Sequence, residues 1–288
     1  MTLKFSKYQG AGNDFLIADN RNGGISLSAE QIAALCDRRY GIGADGLMLL
    51  ESPCMDNDGT DHGPTGFTMT YYNSDGSGGM MCGNGGRCIV AFAADMGIRN
   101  FSFHAADGWH DAEILSAEGK TKIVSIRMKD VHACDYHESL SGASVPSDGY
   151  FLDTGTRHFV RVVENLDGYD VVSEGRDIRY NGKELQPVGA NVNFIEPDGT
   201  VLKVRTYEKG VEDETYACGT GIVASCIAAY GSGIRPASSD GEAVTYDVKA
   251  KRDRLSVRFK PVDGPDGVAE EVYLIGPATY VAEVICDI

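Results

Sequence analysis

The segment CGNGGRCIVAFAA beginning at Cys82 returns, altered but in register, as CGTGIVASCIAA beginning at Cys218. Two further pairs precede it in the same order. GADGLMLLES from Gly43 matches GANVNFIEP from Gly189, and GAGNDFLIADN from Gly10 loosely matches TGTRHFVRVVEN from Thr154. Three blocks repeated in register indicate a duplicated domain. The 288 residues suffice for two domains of roughly 140 residues each. Two equivalent Cys-Gly-x-Gly turns are therefore expected about a pseudo-twofold axis.

Short apolar, β-branched runs separated by Gly, Asn and Asp predict strands at Phe15–Ala18, Leu47–Leu50, Phe67–Tyr72, Ile123–Met128, Phe159–Val163, Val201–Tyr207 and Leu255–Phe259. Helical spacing is rarer. It occurs from Ser28 to Arg38, opened by a Ser-Ala-Glu capping signal, and after Cys82 and Cys218. Residues 54–66 resemble a calcium loop, but if Gly59 is its turn glycine the twelfth position holds Thr65 instead of the required Glu, so a solvated loop is expected. The polar stretch from Ser141 to Gly149 is expected at the surface near the domain junction.

Lys and Arg number 26 against 42 Asp and Glu, a formal charge of −16. That excess repels phosphate backbones, and no basic cluster overrides it, so nucleic acid is excluded as a partner. The N-terminal residues lack an export signal, and no apolar run reaches the ~18 residues of a membrane span. A cytoplasmic protein is expected. The eight cysteines then read as thiols, and Cys82 and Cys88 have no partnering Cys or His pair at zinc spacing, so no metal is expected.

In each Cys-Gly-x-Gly segment a polar loop leads into small apolar residues at helical density, which predicts a helix whose first turn starts at the cysteine. Such a terminus offers unpaired backbone N–H groups and partial positive charge, favouring both a bound carboxylate and a thiolate. Inverting a carbon next to a carboxylate requires one group to remove a proton and another to return one on the opposite face. Cys82 and Cys218 suit those roles. Asn13, Asn73, Asn84, Asn191 and Thr220 are neutral hydrogen-bonding groups able to orient a zwitterion, and His158 and Glu208 add ionisable groups near strand ends. A P-loop, a dinucleotide fingerprint and the chain order of a Ser-His-Asp triad are all missing from the sequence.

The motifs GAGNDF at Gly10, RRYGIGADGL at Arg38, YNSDGS at Tyr72, MCGNGGRC at Met81, GANVNF at Gly189, YEKGVEDETYACGTG at Tyr207 and GPA at Gly276 together resemble the diaminopimelate epimerase family over nearly the whole chain. The resemblance implies an α+β fold of two pseudo-symmetric domains, each a mixed sheet rolled around a central helix. It places the domains at 1–129 and 130–274, with a last strand within 275–288, at about Tyr280 to Ile288, returning to the first. It implies interconversion of LL- and meso-2,6-diaminopimelate without cofactor or metal, by a cytoplasmic homodimer. Carried over by position, Cys82 and Cys218 match the acid/base pair. Gly83, Asn84, Gly219 and Thr220 match the carboxylate cradle, and Asn13, Asn73, Asn191 and Glu208 match substrate contacts, with Lys209 beside them as a further substrate-binding candidate. The chain departs from the family pattern at Lys209, where Arg is common, at Thr156 and Arg157 before His158, and by one extra residue between Glu208 and Cys218. Lys cannot form a bidentate fork on a carboxylate. These changes fall where the distal end of the substrate is expected, and Arg157 or Lys209 is a candidate for holding it. The competing reading is a proline or hydroxyproline racemase or epimerase of the same two-cysteine design, whose members typically carry His where Asn84 stands.

Overall fold

The computed structural model describes all residues except 1, 54–65, 80, 133–135, 138–148, 183–184 and 263–267. The calcium-like loop and most of the polar stretch from Ser141 thus lie outside the described residues. The chain divides into two compact units, Met1–Arg127 with Gly276–Ile288, and Met128–Ile275.

The first unit contains β1 (Thr2–Gly10), β2 (Asn13–Asp19), α1 (Ala29–Cys36), β3 (Gly46–Glu51), β4 (Phe67–Asn73), α2 (Gly83–Asp95), β5 (Phe103–Ala105), β6 (Gly108–His110), β7 (Ala112–Glu118) and β8 (Thr121–Arg127). The second contains β9 (Tyr136–His137), β10 (Gly149–Asp153), β11 (Arg157–Val162), α3 (Val171–Asn181), β12 (Asn191–Asp198), β13 (Val201–Glu208), β14 (Asp213–Thr215), α4 (Gly219–Gly231), β15 (Ser238–Ser239), β16 (Val244–Lys249) and β17 (Arg254–Pro261). The last strand, β18 (Ala269–Asp287), begins in the second unit and ends in the first.

The duplication is visible in the pairing. In the first unit β1 and β2 are antiparallel, β2 and β3 parallel, β3 and β4 antiparallel, β4 and β5 parallel, and β5 and β6 antiparallel. The second unit repeats that alternation through β10, β11, β12, β13, β16 and β17. In both, one helix follows the second strand and the cysteine-led helix follows the fourth. The parallel steps require crossovers, and the helices supply them.

Each cysteine-led helix is the centre of its unit. α2 packs on β1, β2, β3 and β8, and α4 on β10, β11, β12, β13 and β17. Every residue from Gly83 to Ala93 is buried, as is every residue from Gly219 to Ala229 except Thr220. Burial on all sides is what a helix enclosed by its sheet shows, and small or apolar residues supply most of that surface. Small residues let the strands close in: a Cβ on Gly10 would meet the Asn84 carbonyl oxygen at 2.9 Å.

Three expectations are corrected. α1 stops at Cys36 rather than Arg38, because Asp37 is extended and its carboxylate accepts from the backbone of Arg39 and Tyr40, ending the helix. Its capping box is completed by Gln31, not Glu30. The last strand starts at Ala269, well before Tyr280. Its first part pairs with β17 and its second with β8 and β1.

Candidate active site

In each unit the cysteine is the N-cap of the central helix. Cys82 (φ −122°, ψ 118°) and Cys218 (φ −100°, ψ 112°) are extended, and their carbonyls already accept the first helical bonds, from Gly86 at 2.7 Å and Ile222 at 2.8 Å. Neither side chain caps its own helix. Ser, Thr or Asp is the usual choice there because its oxygen satisfies an end N–H. A cysteine leaves those N–H groups to an anion. Both are thiols, Cys82 half-buried and Cys218 only 9% exposed. The thiols one or two turns further on, Cys88 and Cys226, are fully buried, and burial pushes both far above the ordinary thiol range, so they are inert.

Around Cys82 the structure joins Asn13 and Asn84. The tight turn between β1 and β2, with Ala11 and Gly12 at positive φ, places Asn13 at the start of β2. Asn84 Nδ2 donates to Asn13 Oδ1 at 2.5 Å, and Asn13 Nδ2 donates to Asp45 Oδ2 at 3.0 Å. At the other end Arg87 Nη2 donates to Asn84 Oδ1 at 2.8 Å. Arg38 bridges Asp45 and Asp14 at 2.7 and 2.6 Å. Burial alone would raise the Asp14 carboxyl, but hydrogen bonds from Arg38 and Lys7 outweigh it and hold the group below the usual carboxylate range. Asn73 ends β4 in a separate turn, accepting from Tyr71 Oη and donating to Ser77 Oγ, both at 3.0 Å.

Around Cys218 a second network forms. Its Sγ lies 3.5 Å from Thr220 Oγ1, which is 3.0 Å from both His158 Nε2 and Thr156 Oγ1. Thr154 Oγ1 donates to the Thr220 carbonyl at 3.0 Å. His158 is fully buried, and that burial pushes its pKa down to about 3, so the imidazole is neutral. Its Nδ1 faces Asn193 Nδ2 at 3.1 Å, and Gly221 leaves room for this arrangement, since a Cβ there would meet Asn193 Oδ1 at 2.5 Å.

The remaining candidates are brought near one another through Asn191. Its Oδ1 accepts from the Lys209 N–H at 2.8 Å and its Nδ2 donates to the Arg157 carbonyl at 3.4 Å. Glu208 ends β13, half-buried, opposite Asp213. The Arg157 guanidinium lies over the Phe151 ring, 5.4 Å from its centroid. The turn at 208–213 is fixed by Glu212, which accepts from Arg179, Tyr180, Tyr207 and the Gly210 N–H. Asp45, Arg87, Asn193 and Glu212 were not among the candidates read from the sequence. The one signal for Arg87 was a charged residue inside a small-apolar helix.

The fold is shared with structurally characterised proteins. A phenazine biosynthesis protein of the PhzF family from Bacillus anthracis superposes with a TM-score of 0.71 over 100% of both chains at 16% identity. A hydroxyproline epimerase from Agrobacterium vitis does so at 0.65, over 99% of this chain and 92% of its own, at 15% identity. These likenesses define a class of two-domain α+β proteins with mixed sheets. Within that class, a sequence profile described as diaminopimelate epimerase matches residues 5–132 and 150–281. Diaminopimelate epimerases from Flavobacterium psychrophilum and Chlorobaculum tepidum are 40% and 42% identical, covering 98% and 93% of this chain and 99% and 95% of theirs. The chain belongs to the diaminopimelate epimerase family. Among the described residues, no helix is long and apolar enough to cross a membrane.

Proposed function

We propose that the protein interconverts LL- and meso-2,6-diaminopimelate without a cofactor, with Cys82 and Cys218 as the two proton-transfer groups. The observation that carries this reading is the duplicated helix start, a cysteine at the N-cap of each enclosed helix, in a chain of this family. One cysteine, as thiolate, takes the α-hydrogen and becomes a thiol, leaving the electron pair on the carbon and its carboxylate. The other thiol gives its hydrogen to the opposite face and becomes the thiolate. Gly83, Asn84, Gly219 and Thr220 hold the carboxylate beside that carbon, where end-of-helix N–H groups stabilise the growing negative charge. Asn13, Asn73, Asn191, Glu208 and Lys209 bind the remainder of the substrate, with Thr156, Arg157 and His158 in support. The domains are 1–129 with 275–288, and 130–274, and the working form is a cytosolic homodimer.

Turnover of LL-diaminopimelate by reduced protein in D₂O tests the mechanism. Solvent deuterium is expected at the α-carbon of the product, while early substrate stays unlabelled because the receiving thiol can return only the hydrogen it took. Cys82→Ala and Cys218→Ala should each abolish epimerisation. Transfer of the original hydrogen into product, or near-normal turnover by either variant, rules the two-cysteine mechanism out. Turnover of proline in place of diaminopimelate would assign the chain to the competing racemase reading.

A further inference from the structure

Asn191 opens β12, whereas Glu208 ends β13 and Lys209 follows it. One arginine touches the supports of both segments. Arg179, in the last turn of α3, holds the Glu212 carboxylate with a two-bond fork, Nε to Oε2 at 2.9 Å and Nη2 to Oε1 at 2.7 Å. The same guanidinium lies against Gly189, two residues before Asn191, where a Cβ would meet Nη1 at 2.5 Å. Gly189 has a φ of 72°, so the turn into β12 is shaped for that close approach. The Arg179 carbonyl accepts from Gln186 Nε2 at 2.7 Å, which ties down the connection from α3 to this glycine.

Glu212 secures the other segment. Its Oε2 also accepts from the Tyr180 and Tyr207 hydroxyls at 2.9 and 3.0 Å, and its Oε1 from the Gly210 N–H at 2.9 Å. Its own N–H donates to the Glu208 carbonyl at 2.8 Å. Glu212 is held at φ 59°, a left-handed conformation that a residue with a side chain adopts only when its surroundings impose it. The two segments then meet where the Lys209 N–H donates to Asn191 Oδ1 at 2.8 Å. We propose that Arg179 and Glu212 are positioning residues, which hold the Asn191 segment and the Glu208–Lys209 turn in one fixed register before substrate arrives. This rests on the reading of Asn191, Glu208 and Lys209 as substrate contacts. Turns on separate anchors would have to be ordered by the substrate itself, at a cost in affinity, and a shared anchor removes that cost.

Glu212→Gln breaks the fork with almost no change of shape, because whichever way the amide turns, its NH₂ faces an N–H of Arg179. Arg179→Lys keeps the charge and loses the fork. Glu214→Gln is the control, since the Glu214 carboxylate takes the same kind of fork from Arg205 and one bond from Lys251, its only partners among the described residues. KM for diaminopimelate is unaffected by any loss of folded protein. It should rise about tenfold in Glu212→Gln and in Arg179→Lys with kcat within about threefold, and stay within about twofold in Glu214→Gln. Hydrogen exchange of the Lys209 amide reads the contact without substrate. Taken relative to the slowest amides of β12, so that global unfolding is discounted, it should quicken about tenfold in both fork variants and not in the control. An unchanged relative exchange, an unchanged KM in both fork variants, or an equal KM rise in Glu214→Gln overturns the proposal. A wild-type protein inactive on diaminopimelate would overturn the functional reading instead, and the exchange ratios would still decide whether the fork sets the Asn191–Lys209 contact.

Discussion

A single carbonyl decides the state of His158. Asn193 Nδ2 donates to the Phe159 carbonyl at 3.1 Å and Asn193 Oδ1 accepts from Thr206, so the amide has one orientation. The same Nδ2 then faces His158 Nδ1 as a donor, which leaves the imidazole hydrogen on Nε2, toward Thr156 and Thr220. The Thr220 hydroxyl, accepting from Nε2, can turn its own hydrogen to the Cys218 sulfur. Two results are expected. With its pKa pushed down to about 3, His158 should show ring-proton chemical shifts that are flat from pH 5 to 9, measured by NMR against a His158→Gln reference. Thr220→Val should lower kcat by about 10- to 100-fold, the loss of one hydrogen bond to a charged group, measured in steady-state assays with Cys218 alkylation rate as a companion readout. A titration step near 6.5 would refute the first, and an unchanged kcat the second. The position of Cys82 and Cys218 at the starts of two equivalent helices was legible in the sequence because the repeat marks it twice. Asp45 and Asn193 were not, since each acts through a contact that only folding creates, across 32 and 35 residues; Arg87, three residues from Asn84 on the same helix, was marked only as a charge among small apolar residues.

The elements divide along similar lines. The strands read from apolar runs formed where expected, because an enclosed sheet requires continuous apolar faces. α3 went unread: its first turn is Val-Val and Gly175 interrupts it, both poor helical signals. Packing accounts for the exception, because a Cβ on Gly175 would meet Tyr207 Cβ at 2.4 Å, and the glycine lets α3 lie against β13. Two substitutions test these elements. Gly221→Ala places a methyl group 2.5 Å from Asn193 Oδ1, an oxygen already pinned by Thr206. It should destabilise the protein by about 1–3 kcal/mol, the usual cost of overpacking, seen as a lower urea midpoint. Ser28→Ala removes the cap of α1 and should cost about 1 kcal/mol, with no change in KM because α1 carries no candidate site residue.

For the molecule as a whole, acid is the informative perturbation. Burial alone would raise the Glu212 carboxyl, but the Gly210 N–H, Arg179 and two tyrosines overcome it and hold the pKa down at about 2. In the unfolded chain it returns to the ordinary value of 4.5. The unfolded state therefore binds the extra proton between those values, and the stabilisation is present above pH 4.5 and lost as pH falls toward 2. Glu212→Gln should lower the urea midpoint at pH 6, and the gap to wild type should close on acidification through that window. A gap independent of pH would show that the carboxylate charge contributes nothing.

The path of β18 bears on how the chain is made. Strand β1 begins at Thr2, yet its partner on one side is the C-terminal part of β18, with Thr2 opposite Asp287 and Leu3 opposite Cys286. During synthesis the first unit emerges from the ribosome with that edge open, and its neighbour is translated only after the second unit. An unpaired edge invites strands from other chains, and the exposure lasts until the strand beyond the second unit is made. A chain truncated after residue 275 carries every cysteine of both central helices but leaves that edge of β1 unpaired, and it is expected to aggregate instead of folding.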